Sequence, residues 1–130
     1  MLIINKKIMV VEDEAVMRQS LVDILTREGF TVVQAEDGER AFQVALAEKP
    51  DLILLDILMP KCNGLEVMKK IRETDWGKTI KIFLITNVKP DDKVVVDISL
   101  YEPSHYLMKP SLDYEDMIGK IKKELGISPS

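Results

Sequence analysis

Five polar side chains each stand just beyond a short stretch of strand-like sequence. Glu12 and Asp13 follow Ile8, Met9, Val10 and Val11. Asp56 follows Leu52, Ile53, Leu54 and Leu55. Thr86 follows the run that ends at Ile85, and Lys109 follows His105, Tyr106, Leu107 and Met108. If these stretches are neighbouring parallel strands, their polar ends gather on one rim. Two like charges ~4 Å apart repel by roughly 4 kcal/mol at an effective dielectric of about 20. Three carboxylates therefore do not all stay ionised there unless cations neutralise them or one of them keeps a proton. Lys109 supplies one positive charge, and a divalent cation would supply the rest. The donors are all oxygens, which selects a hard cation, Mg²⁺ or Mn²⁺, over zinc. A carboxylate beside such a cation can attack a phosphorus centre and give an aspartyl phosphate. Asp56 is the best candidate for that nucleophile, because it ends a fully apolar run and precedes a loop. Glu12 and Asp13 are better suited to the metal.

The elements that must position these groups can be read from the hydrophobic pattern. Residues 8–11, 30–33, 52–55, 80–85 and 105–108 predict strands. The third is apolar at every position, which fits a strand covered on both faces of a parallel sheet. Met17, Leu21, Ile24 and Leu25 recur at helical spacing before Gly29, a helix stop. Asp37-Gly38 opens a second helix with Ala41, Phe42, Ala45 and Leu46 on one face, ended by Pro50. Leu65, Met68 and Ile71 mark a third after Gly64. Tyr114, Met117, Ile118, Ile121 and Leu125 give the last helix, ended by Gly126. Residues 93–100 are valine-rich and lean locally towards strand. A parallel crossover needs an intervening helix, so topology assigns helix there. Five strands alternating with five helices predict an α/β fold: a doubly wound parallel sheet with helices on both faces. The order 2-1-3-4-5 is a common solution, with its ligand crevice between strands 1 and 3.

Composition narrows the function classes. The chain has 130 residues, 46% hydrophobic and 31% charged, which suits one folded domain (1–130, core about 7–125) rather than a disordered chain. The net charge of −4 and the lack of a long Lys/Arg run argue against direct nucleic-acid binding. Cys62 is the single cysteine, so neither an intramolecular disulfide nor a cysteine-based zinc cluster is possible. No apolar run approaches the ~20 residues of a membrane span, and the N-terminus has the wrong charge order for a secretory signal. The cytoplasm is the expected compartment.

Taken together, Val10-Val11-Glu12-Asp13-Glu14, Leu54-Leu55-Asp56-Ile57-Leu58-Met59-Pro60 with Gly64, Ile85-Thr86, and Tyr106-Leu107-Met108-Lys109-Pro110 resemble the signatures of response-regulator receiver domains. The match keeps its order over nearly the whole chain and is similar to chemotaxis-type receivers of two-component signalling. The flavodoxin-like strand order is shared by that family and is thus partly implied by the resemblance. It further implies that Asp56 is the phosphoacceptor and that Glu12 and Asp13 hold Mg²⁺ with the backbone carbonyl of Leu58. Thr86 resembles the switch hydroxyl, Lys109 the lysine that contacts the phosphoryl group, and Tyr106 the aromatic that changes rotamer. The implied donor is a phosphohistidine on a sensor histidine kinase or a histidine phosphotransfer protein, and the downstream partner is unnamed. A weak homodimer through residues 93–100, the fifth strand and the last helix is a family-based expectation. No output domain is expected after the last helix.

Several positions depart from the pattern. Asn87 replaces the usual small residue, Glu102-Pro103-Ser104-His105 replaces the usual approach to strand 5, and apolar Leu58 and Val88 flank the site. Apolar flanks that exclude water imply slow loss of the phosphoryl group. His105 has no partner in the sequence and reads as an ordinary strand residue. Two other functions compete with the phosphoacceptor switch, which would turn over no external metabolite. One is a receiver-like interaction module without phosphorylation, against which the intact set Glu12, Asp13, Asp56, Thr86 and Lys109 counts. The other is a Mg²⁺-dependent aspartyl-phosphate phosphatase, whose usual second aspartate two residues on is here Leu58.

Overall fold

In the computed structural model, residues 3–57, 64–86, 103–109 and 112–127 are described. Along these the chain forms β1 (Lys7–Val11), α1 (Ala15–Arg27), β2 (Thr31–Ala35), α2 (Gly38–Glu48), β3 (Leu52–Asp56) and α3 (Gly64–Arg72). A 3₁₀ turn (Trp76–Lys78), β4 (Lys81–Thr86), β5 (His105–Met108) and the last helix, α4 (Tyr114–Glu124), follow. The strands form one sheet in the order β2-β1-β3-β4-β5, with every neighbouring pair parallel. The predicted helix at 93–100 lies outside the described residues. So do Leu58, Cys62, Asn87, Val88, Glu102 and Pro110.

Burial explains which runs are continuous and which alternate. β3 is buried at every position, and β1 and β4 at every position but their first. These three strands occupy the middle of the sheet and are covered on both faces, so each reads as an unbroken apolar run. The edge strands β2 and β5 are partly exposed. Side chains alternate across the sheet, and two cores result. Met9, Val11, Ile53, Leu55, Ile82 and Leu84 pack with Val67, Met68 and Ile71 of α3 and Ala41 and Ala45 of α2. Ile8, Val10, Leu52, Leu54, Phe83 and Ile85 pack with Leu21 and Leu25 of α1 and Met117 and Ile121 of α4. Fully burying one such aliphatic side chain contributes roughly 1.5–3 kcal/mol, so the sheet is held firmly from both sides.

Helix ends follow local chemistry. Gly29 (φ 104°) and Gly126 (φ 69°) take the left-handed conformation that ends α1 and α4. In each case the next residue closes the turn: Phe30 N–H donates to the Leu25 carbonyl, and Ile127 N–H to the Lys122 carbonyl. Phe30 is therefore used by this cap. It does not start the second strand as its β propensity suggests; β2 instead runs Thr31–Ala35, in register with Lys7–Val11. Asp37 caps α2 by accepting from Arg40 N–H, and Asp113 caps α4 by accepting from the N–H groups of Glu115 and Asp116. His105 is a strand residue, as expected, with its ring edge-on to Phe83 at 4.7 Å between centroids.

Candidate functional site

Parallel register assembles the site. Val11 lies opposite Leu55, Asp56 opposite Ile85, and Thr86 opposite Met108. One residue beyond the β1 ladder brings Glu12 beside Asp56, and one residue beyond β5 brings Lys109 to the same rim. The apolar strands beneath bury these groups: Glu12 is 2%, Asp56 3% and Thr86 0% exposed. Asp13 is exposed.

The backbone after Asp56 is clamped from two sides. Ile57 N–H donates to the Ile85 carbonyl at 3.3 Å, and Gly64 N–H donates to the Ile57 carbonyl at 2.7 Å. A Cβ on Gly64 would fall 2.5 Å from the Asp56 carbonyl oxygen and 2.7 Å from Ile57 Cα. Only glycine allows α3 to start this close to the strand end.

Lys109 supplies the positive charge. Its Nζ contacts Glu12 Oε1 and lies 3.2 Å from Asp56 Oδ2, with its side chain 9% exposed. The exposed Glu14 carboxylate stands 4.0 Å from the same nitrogen. One ammonium thus faces two buried carboxylates, and a proton makes up part of the difference. Burial first, then the hydrogen bond and charge of Asp56, push the Glu12 carboxyl from 4.5 up to about 8, against the opposing pull of Lys109. Burial lowers the Lys109 pKa, but its contacts and charge interactions with Glu12 and Asp56 outweigh this and leave it raised.

A cation fits the same groups. One carboxylate oxygen each from Glu12, Asp13 and Asp56 lie within 4.8 Å of one another. This all-oxygen, anionic set matches the ligands of a hard divalent ion. Of the residues singled out in the sequence, Glu12, Asp13, Asp56, Thr86 and Lys109 come together on this rim. Tyr106 is half-buried and packs partly against the core on the α2–α3 side. Leu58 lies outside the described residues.

Two residues at the rim were not singled out. Arg18 on α1 donates to the carbonyl oxygens of Glu12 and Asp13, and to the side chain of Gln34 on β2. A lone arginine on an amphipathic helix reads as a solvent-facing charge, so the sequence carries little signal for this contact.

Comparison with known proteins agrees with the geometry. The response regulator receiver domain model matches residues 8–122. Sporulation initiation phosphotransferase F of Bacillus subtilis is 30% identical over 121 residues, covering 93% of this chain and 94% of that protein. The alkaline phosphatase synthesis transcriptional regulatory protein PhoP of Bacillus subtilis is 49% identical over 69 residues, which cover 53% of this chain and 29% of PhoP. The matched region thus spans less than a third of PhoP's length. A crystal structure of response regulator protein TrrA from Thermotoga maritima, in complex with Mg(2+)-BeF, superposes with a TM-score of 0.77 at 36% identity, covering 91% of this chain and 97% of that one. Among the described residues, no helix is long and apolar enough to cross a membrane. On its sheet order, its acidic rim and these matches, the chain belongs to the response regulator receiver domain family, the signal-receiving modules of two-component systems.

Proposed function

We propose that this receiver takes a phosphoryl group onto Asp56 from a phosphohistidine on a sensor histidine kinase or a histidine phosphotransfer protein, in the cytoplasm. One observation carries the reading: Lys109 joins buried Glu12 and Asp56 at a rim where three carboxylate oxygens lie within 4.8 Å. An Asp56 oxygen attacks phosphorus, the phosphorus–nitrogen bond of the donor breaks, and the imidazole nitrogen keeps the electron pair. The new group carries roughly −1.5 to −2 charge, by analogy with other phosphorylated side chains. In this reading the Lys109 ammonium, 3.2 Å from Asp56 Oδ2, would compensate that charge, and the Thr86 hydroxyl would donate to a phosphoryl oxygen.

Glu12, Asp13 and Asp56 would hold Mg²⁺, or Mn²⁺ in its place, together with the Leu58 carbonyl that the family resemblance implies. When bound, the ion neutralises the carboxylates and the phosphoryl oxygens. Its presence beside beryllofluoride in the TrrA structure supports this choice. Tyr106 would change rotamer as Thr86 moves, altering the β5 surface that a downstream partner reads. The chain would catalyse its own phosphorylation and dephosphorylation and act on no external metabolite. A weak homodimer through β5, α4 and residues 93–100 belongs to the same proposal; sedimentation that stays monomeric with beryllofluoride bound removes it.

The test is intact-mass measurement after incubation with Mg²⁺ and acetyl phosphate or phosphoramidate. One added phosphoryl group, dependent on Mg²⁺ and absent in Asp56→Asn, is the expected result. No adduct and no beryllofluoride binding would overturn the proposal in favour of an interaction module that does without phosphorylation.

A further inference from the structure

Arg18 stands half-buried in the first turn of α1, and its guanidinium reaches back over the loop leaving β1. Nη1 donates to the Glu12 carbonyl at 2.8 Å and, at 3.5 Å, to the Asp13 carbonyl. Nε donates to Gln34 Oε1 on β2 at 3.1 Å. One planar group thus ties together α1, the loop that carries two of the acidic residues, and an edge strand. The loop has reason to need this tie. The β1 ladder ends at Val11, opposite Ala35 and Leu55. Beyond it, Glu12 N–H still donates to the Ala35 carbonyl at 3.1 Å, but the carbonyl side of the loop turns towards Arg18. The cap residue of α1, Glu14, makes no side-chain capping bond, so the helix start adds no anchor of that kind.

We infer that Arg18 is a positioning residue for the acidic pair: by fixing the Glu12 and Asp13 peptide planes it sets how narrowly the rim selects its cation. This rests on the proposed cation site. Mg²⁺ demands near-octahedral ligands at roughly 2.0–2.1 Å, whereas Ca²⁺ accepts irregular shells at roughly 2.3–2.6 Å. A loosened loop therefore penalises the smaller ion more. Charge alone predicts the opposite direction, because deleting a cation near the site should tighten metal binding. Lysine is a poor substitute, since its point-like ammonium lacks the fork that spans a carbonyl and Gln34 at once.

NMR titrations of the full chain with Mg²⁺ and with Ca²⁺ test this in wild type, Arg18→Ala, Arg18→Lys and Gln34→Ala. Metal-free spectra report whether each variant keeps the fold. Arg18→Ala should weaken Mg²⁺ about 10-fold or more, in the range seen when groups that orient metal ligands are removed. Ca²⁺ should weaken by less than about 3-fold, given its tolerance of irregular geometry. Arg18→Lys should recover part of the loss. Gln34→Ala, at an exposed position, should narrow the Mg²⁺/Ca²⁺ ratio to a smaller extent, and it carries the test if Arg18→Ala does not fold. Tighter or unchanged Mg²⁺ binding in the variants, or equal losses for both ions, overturns the inference while leaving the cation site standing. Failure of wild type to bind Mg²⁺ overturns both.

Discussion

Raising the pH should destabilise the metal-free protein, and Glu12 sets the size of the effect. Its carboxyl is pushed from 4.5 up to about 8, chiefly by burial and then by Asp56. A folded-state pKa raised above the unfolded one gives a contribution fully present below about 4.5 and lost as pH rises towards about 8. Across that window the native state holds nearly one extra proton, so stability falls by up to about 1.4 kcal/mol per pH unit. Integrated from about pH 6 to about pH 8, the loss is about 2 kcal/mol. The slope reflects the cluster, because the charges and hydrogen bonds of Asp56 and Lys109 act on the Glu12 carboxyl. Mg²⁺ requires the ionised carboxylate, so saturating Mg²⁺ should flatten or reverse the trend. Urea unfolding across this range, in EDTA and in Mg²⁺, measures both effects. Glu12→Gln keeps the shape and cannot ionise, so most of the slope should vanish in that variant. Equal slopes in EDTA for wild type and Glu12→Gln would refute the assignment of the proton to this site.

Three further outcomes follow from the same geometry. Gly64→Ala places a Cβ against the Asp56 carbonyl and Ile57 Cα, neither of which can yield; it should cost ~1–3 kcal/mol in urea unfolding and slow phosphorylation of Asp56. Lys109→Met removes the ammonium from Asp56 and Glu12; the rate of labelling by acetyl phosphate should fall ~100-fold, as when one preorganised donor is lost, and an unchanged rate would exclude the role given to Lys109. Asp113→Ala deletes the cap that accepts from Glu115 and Asp116 N–H; chemical denaturation should show a loss of about 1 kcal/mol, with labelling of Asp56 unaltered.

Much of this protein was legible before any coordinates. The unbroken apolar run before Asp56 fitted a strand covered on both sides, because a half-exposed strand alternates, and β3 is buried at every position. With helices between the runs, the sheet had to be parallel, and parallel strands bring their carboxyl ends to one edge. Together with the strand order that the receiver resemblance partly implied, this placed Glu12, Asp13, Asp56, Thr86 and Lys109 on one rim, and the oxygen donors of the three carboxylates pointed to a hard cation. What the sequence could not supply was anything set by contacts distant along the chain. Phe30 became a helix cap because Gly29 turned left-handed beneath it, a choice made jointly by α1 and the β1–β2 register. The proton on Glu12 depends on how deeply the surrounding strands bury it and on Asp56 beside it, neither of which is visible in residue type. Nothing in the sequence marks Arg18; the fold brings β2 alongside β1 and puts Gln34 and the Glu12 carbonyl within its reach. Residue order determined which groups would meet, because strand direction is a property of the chain. Tertiary packing decided the proton on Glu12 and the supports around the rim, because burial and non-local hydrogen bonds exist only once the sheet has formed.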